Sequence, residues 1–103
     1  MENEMRWKRG VAIVALSTTL AVAGAGSAHA VTVNPPEGGT WSYGTDSPSR
    51  GTWSDYLHHG SRHHSLAGNA SYERKSPVVN LGYWSEVSVE TSLWGNYAKY
   101  NLD

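Results

Sequence analysis

The sequence predicts an all-β domain, a small antiparallel sandwich or barrel, carried behind an N-terminal export signal. Three observations point there. Short runs alternate polar with apolar or aromatic residues at a period of two, and clusters of Gly, Pro, Asn, Asp and Ser separate those runs. Beyond Ala30 no window sustains a 3.6-residue apolar period. The third observation is the start of the chain, which has the layout of a secretory signal.

Arg6, Lys8 and Arg9 form a short positive region, and no charged residue follows from Val11 to Gly26. Ala28-His29-Ala30 then places small residues at the two positions a signal peptidase reads, so cleavage is expected between Ala30 and Val31. The apolar run is interrupted by Ser17, Thr18 and Thr19 and is shorter than the roughly 20 residues a membrane-spanning helix needs. Three segments result: residues 1–30 as signal peptide, 31–39 as a flexible leader and 40–103 as the β domain. In the precursor, Val11 to about Ala23 is expected to be helical and poorly packed on the rest. Signal peptidase and the secretion machinery are therefore the first expected partners, and the destination is extracellular.

The leader VTVNPPEGG has too many prolines and glycines to carry a regular element far. Thr40-Trp41-Ser42-Tyr43 reads as a short strand ended by Gly44, and Thr45 to Gly51 as a loop dense in turn formers. From Thr52 the alternation resumes, with Trp53, Asp55, Leu57 and His59 on one face and Ser54, Tyr56 and His58 on the other. Gly60-Ser61 can turn the chain, and His63 to Ser71 continues. Glu73 to Pro77 is a charged loop. Val78 to Leu81 and Tyr83 to Thr91 form the clearest strand, with Trp84, Glu86, Ser88 and Glu90 opposite Ser85, Val87 and Val89. The tail from Leu93 to Leu102 carries Trp94, Tyr97 and Tyr100.

Composition bounds both stability and function. The 103 residues include no cysteine, so disulfides do not staple this small domain. They include five Trp and six Tyr, all but Trp7 beyond Ala30. Aromatic burial is then the main apolar resource, and most of these rings are expected in the core, with Trp84 among the candidates for full burial. The basic residues after Ala30 (Arg50, Arg62, Arg74, Lys75 and Lys99) are scattered among more numerous acids, which argues against a nucleic-acid partner.

The densest chemical feature is His58-His59-Gly60-Ser61-Arg62-His63-His64. With Gly60-Ser61 at the centre of a hairpin, His58 would face His63, a pair able to chelate a metal. A structural zinc site wants about four ligands, and no cysteine is present to complete one. The alternatives are a hydrogen-bonded polar strand and direct target contact. Ser, His and Asp co-occur, but a triad is defined by geometry and no G-x-S-x-G elbow is present. Neither enzymatic activity nor a cofactor is expected. Asn69-Ala70-Ser71 fits the glycosylation acceptor pattern, a chance match in a bacterial-looking chain.

Four segments, GTWSYG (Gly39 to Gly44), SDYLHHGSRHHSLA (Ser54 to Ala67), GYWSEVSV (Gly82 to Val89) and NYAKYNL (Asn96 to Leu102), resemble the lactococcin 972 family in order and spacing. The chain departs from that pattern at Leu57, between Tyr56 and the histidine pair, and in the length of the middle loop. The resemblance implies a secreted, unmodified bacteriocin folded as a β-sandwich of two small antiparallel sheets. It implies a target in the bacterial cell envelope, the wall precursor lipid II, with inhibition of wall or septum synthesis and a membrane immunity system in the producer. The residues singled out for target binding are Trp41, Tyr43, Tyr56, His58, His59, His63, His64 and Trp94. Rival readings are a secreted wall- or glycan-binding module without toxicity and a histidine-dependent metal-binding protein.

Overall fold

The structure, a computed structural model, describes residues 11–16 and 29–103. These form eight strands: β1 (Val11–Leu16), β2 (His29–Val33), β3 (Thr40–Ser47), β4 (Gly51–Leu57), β5 (His63–Gly68), β6 (Glu73–Lys75), β7 (Trp84–Val89) and β8 (Asn96–Leu102). They make two four-stranded antiparallel sheets, sheet 1 in the order β1-β8-β5-β6 and sheet 2 in the order β2-β3-β4-β7. The sheets pack face to face, β4 and β7 against β5 and β4 against β8. The all-β expectation and the two small sheets hold.

The period of two sets the layers. In β4, Thr52, Ser54 and Tyr56 point inward, while Trp53, Asp55 and Leu57 point outward. In β7, Ser85, Val87 and Val89 point inward and Trp84 and Glu86 are exposed. Gly51 opens β4 at φ 73°, and a Cβ there would lie 2.3 Å from the Val89 carbonyl oxygen, so the β3–β4 turn is pressed against β7.

The interior is about half apolar and half polar, and most of its polar residues are Ser and Thr. Trp41, Tyr43, Tyr56, Ala98, Tyr100 and Leu102 form one buried cluster, and Ala67, Val87 and Val89 form a second. Small hydroxyls bridge the sheets. Ser54 Oγ accepts from Trp41 Nε1 at 2.9 Å and donates to the Lys99 carbonyl at 2.8 Å. The Ser65 and Ser85 hydroxyls meet at 2.6 Å, and Thr52 donates to Asn96 Oδ1 at 3.2 Å. Among the described residues no buried side-chain polar atom lacks a partner. That matters because an unpaired buried hydroxyl costs about 1–3 kcal/mol.

Five local expectations are corrected. Val11–Leu16 is a strand rather than the start of a helix: its run of β-branched and apolar residues pairs with β8 from Val11 opposite Asn101 to Leu16 opposite Asn96. Ala12 and Val14 pack on the first core cluster. The rest of the expected helix, with Arg6, Lys8, Arg9 and Ala28, lies outside the described residues. Val31–Val33, read as flexible leader, pair with β3 before Asn34 and Pro35 end the strand. Glu73–Lys75 is a short exposed strand on the edge of sheet 1, where charge guards the edge. Val78 to Leu81 is no strand; a single bridge joins Val79 to His63. Finally, β3 runs past Gly44 to Ser47 through a bulge rather than stopping.

Candidate functional site

The histidine segment does not form a hairpin. β4 belongs to sheet 2 and β5 to sheet 1, so the stretch between Leu57 and His63 crosses from one sheet to the other. Its ring nitrogens are committed to structure. His58 Nδ1 accepts from the Gly60 amide at 3.0 Å, which leaves Nε2 to donate to the Glu37 carbonyl at 3.0 Å. His63 is fully buried, with Nδ1 2.8 Å from the Ser61 carbonyl and Nε2 2.7 Å from that of Tyr83. His64 is also buried and lies 2.6 Å from the Asp103 carboxylate. The His58 and His63 rings come within 6.3 Å of each other, but both present nitrogens that already serve the backbone. Among the described residues no three His, Asp or Glu side chains gather as a metal site would need.

The aromatic candidates divide by layer. Trp41, Tyr43 and Tyr56 are buried. Tyr56 stacks on Tyr100 at 4.4 Å, and Trp41 meets Tyr43 at 4.2 Å and Tyr100 at 4.8 Å. The Tyr56 hydroxyl donates to the Gly38 carbonyl at 2.6 Å, and the Tyr100 hydroxyl donates to the Glu37 carboxylate. Burial first, and the nearby Glu37 carboxylate second, push both phenols well above the ordinary tyrosine range. These rings, with His63, hold the two sheets together, while His64 ties β5 to the chain end beyond β8 within sheet 1. His59 and Trp94 are exposed, Trp94 by 70%, and they sit on loops at opposite ends of the sandwich. Asn69 of the glycosylation-like triplet is buried: its Oδ1 accepts from the Ser71 and Tyr72 amides, and its Nδ2 donates to the Glu90 carbonyl.

The surface that residue patterning underrated is the outer face of sheet 2. Leu57 pairs with Trp84, Asp55 with Glu86 and Trp53 with Ser88, and the side chains of these pairs all point outward. Trp84, expected in the core, is 43% exposed. In its strand Ser85, Val87 and Val89 turn inward and Trp84 does not. Trp53 and Trp84 stand on adjacent strands, offset by roughly 14 Å along the strand direction at about 3.4 Å per residue. Arg50 lies over the Trp53 ring at 5.0 Å and grips Asp55 with two bonds of 2.8 and 2.9 Å. That grip raises the affinity of Arg50 for its proton further. Leu81 and Tyr83 extend the exposed apolar surface beyond the Trp84 end.

At the other end, this face runs into a groove of about 590 Å³ between the β3–β4 turn, the start of sheet 1's edge strand and the end of β7. Asp46, Arg50, Tyr72, Arg74, Ser88 and Glu90 are among its walls. Its frame is fixed: Thr45, Thr52 and Thr91 share hydroxyl bonds beneath it, and Thr91 Oγ1 also accepts from the Asp46 amide at 3.1 Å. Such a face offers flat aromatic surface beside fixed donors and acceptors of both signs.

No curated protein and no solved structure matches this chain. A family model does: residues 37–100 match that of the lactococcin 972 bacteriocins, which covers every strand from β3 to β7 and most of β8. The chain belongs to the lactococcin 972 bacteriocin family.

Proposed function

We propose that this chain is a secreted bacteriocin that binds a cell-envelope component of competing bacteria, the wall precursor lipid II, and blocks wall or septum synthesis without enzymatic chemistry. The observation that carries the antibacterial reading is the family match over residues 37–100. The outer face of sheet 2 supports where binding takes place, because it carries exposed aromatic surface while the inner rings are committed to the core. Trp94 and His59, the exposed members of the original candidate set, are accessory contacts. Bacteriocin family membership also points to an envelope target and to an immunity system in the producer, for which a membrane protein is proposed.

Residues 1–30 are proposed to be a signal peptide removed before Val31. Cleavage there takes away β1 and the first two residues of β2, and leaves β8 on the edge of sheet 1. Intact-mass analysis of culture supernatant should find a protein beginning at Val31; secreted chain that retains Met1 to Ala30 would contradict this.

The functional test is exposure of growing bacteria to the purified secreted protein. Arrested septation with accumulation of lipid-linked wall precursor is expected. Cells that bind the protein yet grow and divide normally would favour a wall-binding module without toxicity. The metal-binding alternative finds less support, since the His58 and His63 nitrogens are engaged by backbone groups.

A further inference from the structure

We infer that the outer face of sheet 2 and the groove at its end form one saccharide site, taking an oligosaccharide of N-acetylated amino sugars. This rests on the envelope-binding reading above and names the chemical class of ligand for it.

The aromatic face and the groove are continuous. Arg50 and Ser88 belong both to the aromatic face and to the groove, so a linear ligand can run from Trp84 past Trp53 into the groove without leaving the surface. The groove's volume of about 590 Å³ falls in the usual range for small-molecule sites.

Asp46 and Glu90 face the same groove as Arg50 and Arg74, so the field has no dominant sign. A phosphate group would be drawn to one-signed positive charge, and a divalent cation to gathered carboxylates. A neutral ligand rich in hydroxyls and amides uses both signs at once. Carboxylates accept from its hydroxyls, the Arg74 guanidinium donates to its ring and amide oxygens, and the exposed Trp84 indole covers its apolar C–H surface, with the Trp53 ring already stacked by Arg50.

Polar groups lining the groove are left uncommitted. The side chains of Asp46 and Glu90 make no hydrogen bond or ion pair to any described residue. Arg74 makes only a stacking contact, 5.7 Å from the Tyr72 ring. Their backbones, by contrast, are held: Asp46 by Thr91, Glu90 by Asn69, and Arg74 by pairing with Ala67. Rigid mounts with uncommitted polar ends are what a preorganised recognition site requires.

Asp46 differs from the other lining residues in its backbone. It sits in the bulge of β3 at φ 61°, a left-handed conformation that glycine adopts more easily. An acid kept in a strained bulge, aimed into a groove and bonded to nothing, fits a binding role better than a structural one. Replacing it by glycine relieves backbone strain while deleting the carboxylate, so stability and binding should move in opposite directions.

The test titrates the full 103-residue chain with the tetrasaccharide of N-acetylglucosamine, with maltotetraose as the control sugar, by calorimetry and amide NMR. Saturable binding of the first sugar, at least tenfold weaker for the second, is expected. Shifted amides should lie along β7, β4 and the β3–β4 turn. Arg74→Gln and Trp84→Ala should each weaken binding about tenfold. Asp46→Gly should weaken it while the thermal midpoint stays level or rises. Asn101→Ala, on the outer face of sheet 1, should change nothing.

Absence of binding, or binding indifferent to Asp46, Arg74 and Trp84, overturns the site. Co-sedimentation with intact cells separates this failure from that of the envelope reading. Cell binding that the tetrasaccharide does not compete away overturns the saccharide site and leaves the envelope reading standing. Saccharide binding without cell binding supports the site and removes the envelope reading.

Discussion

The two faces of sheet 2 carry the same kind of side chain and do opposite things with it. Inside, Trp41 and Tyr56 are almost wholly buried, stacked on Tyr43 and Tyr100, and their polar atoms are bonded to Ser54 and the Gly38 carbonyl. Outside, Trp53 stands on β4, the strand that also carries Tyr56, and Trp84 on the neighbouring edge strand β7, each one residue out of phase with its strand's buried set, beside Arg50, Asp55 and Glu86. A Trp in a strand is thus not a core residue by type. Its phase relative to the bonded hydroxyls decides which layer it serves. In this protein the hydroxyls of Thr52, Ser54 and Ser85 mark the inner face and acidic residues mark the outer one.

The largest way to break the inner face is Trp41→Ala. It removes a buried ring and leaves Ser54 without its indole donor, so about 3–5 kcal/mol should be lost. A domain of this size has a total of about 5–15 kcal/mol, and chemical denaturation should show a midpoint shifted far down or no cooperative transition. An unshifted midpoint would mean the ring is not in the core. Ser54→Ala should cost less, about 1–3 kcal/mol, because it orphans the Trp41 indole and the Lys99 carbonyl while leaving the packing nearly intact. The same denaturation measurement checks it, and a neutral result would show that water or another group takes over both bonds.

Alkali should act on the inner face selectively. Tyr56 and Tyr100 hold their protons more tightly when folded than the unfolded value near 10, through burial and then Glu37. Their contribution to stability is therefore complete below about pH 10 and is lost as the pH rises beyond it. Near-UV circular dichroism and tyrosinate absorbance should change together in one cooperative step. Ionisation of these two phenols with the tertiary signal intact would contradict their burial.

Much of the fold was legible before any coordinates. β4 and β7 were placed by period-two alternation and turn residues, because each turns one face inward and the other outward. The elements missed are those without that contrast. β6 is exposed throughout, β1 is an edge strand whose partner β8 is distant in sequence, and β2 is an edge strand cut short by Asn34 and Pro35. The binding face was harder to see. Ser54, Ser65 and Ser85 are small polar residues that read as surface, yet they bridge the sheets, so the polarity that normally identifies the outside pointed inward. The clustered histidines drew attention by composition, whereas their bonding partners, at Glu37, Tyr83 and Asp103, lie 20 or more positions away and leave no local signature.

The account turns on Trp84, which residue pattern assigned to the core and the structure places outside. The decisive measurement pairs thermal unfolding with co-sedimentation on whole bacterial cells for Trp84→Ala beside the unaltered chain. The account predicts a stability change within about 0.5 kcal/mol, as for a surface substitution, together with a clear loss of cell binding. A lowered midpoint with cell binding intact would return Trp84 to the core and take the binding face of sheet 2 with it.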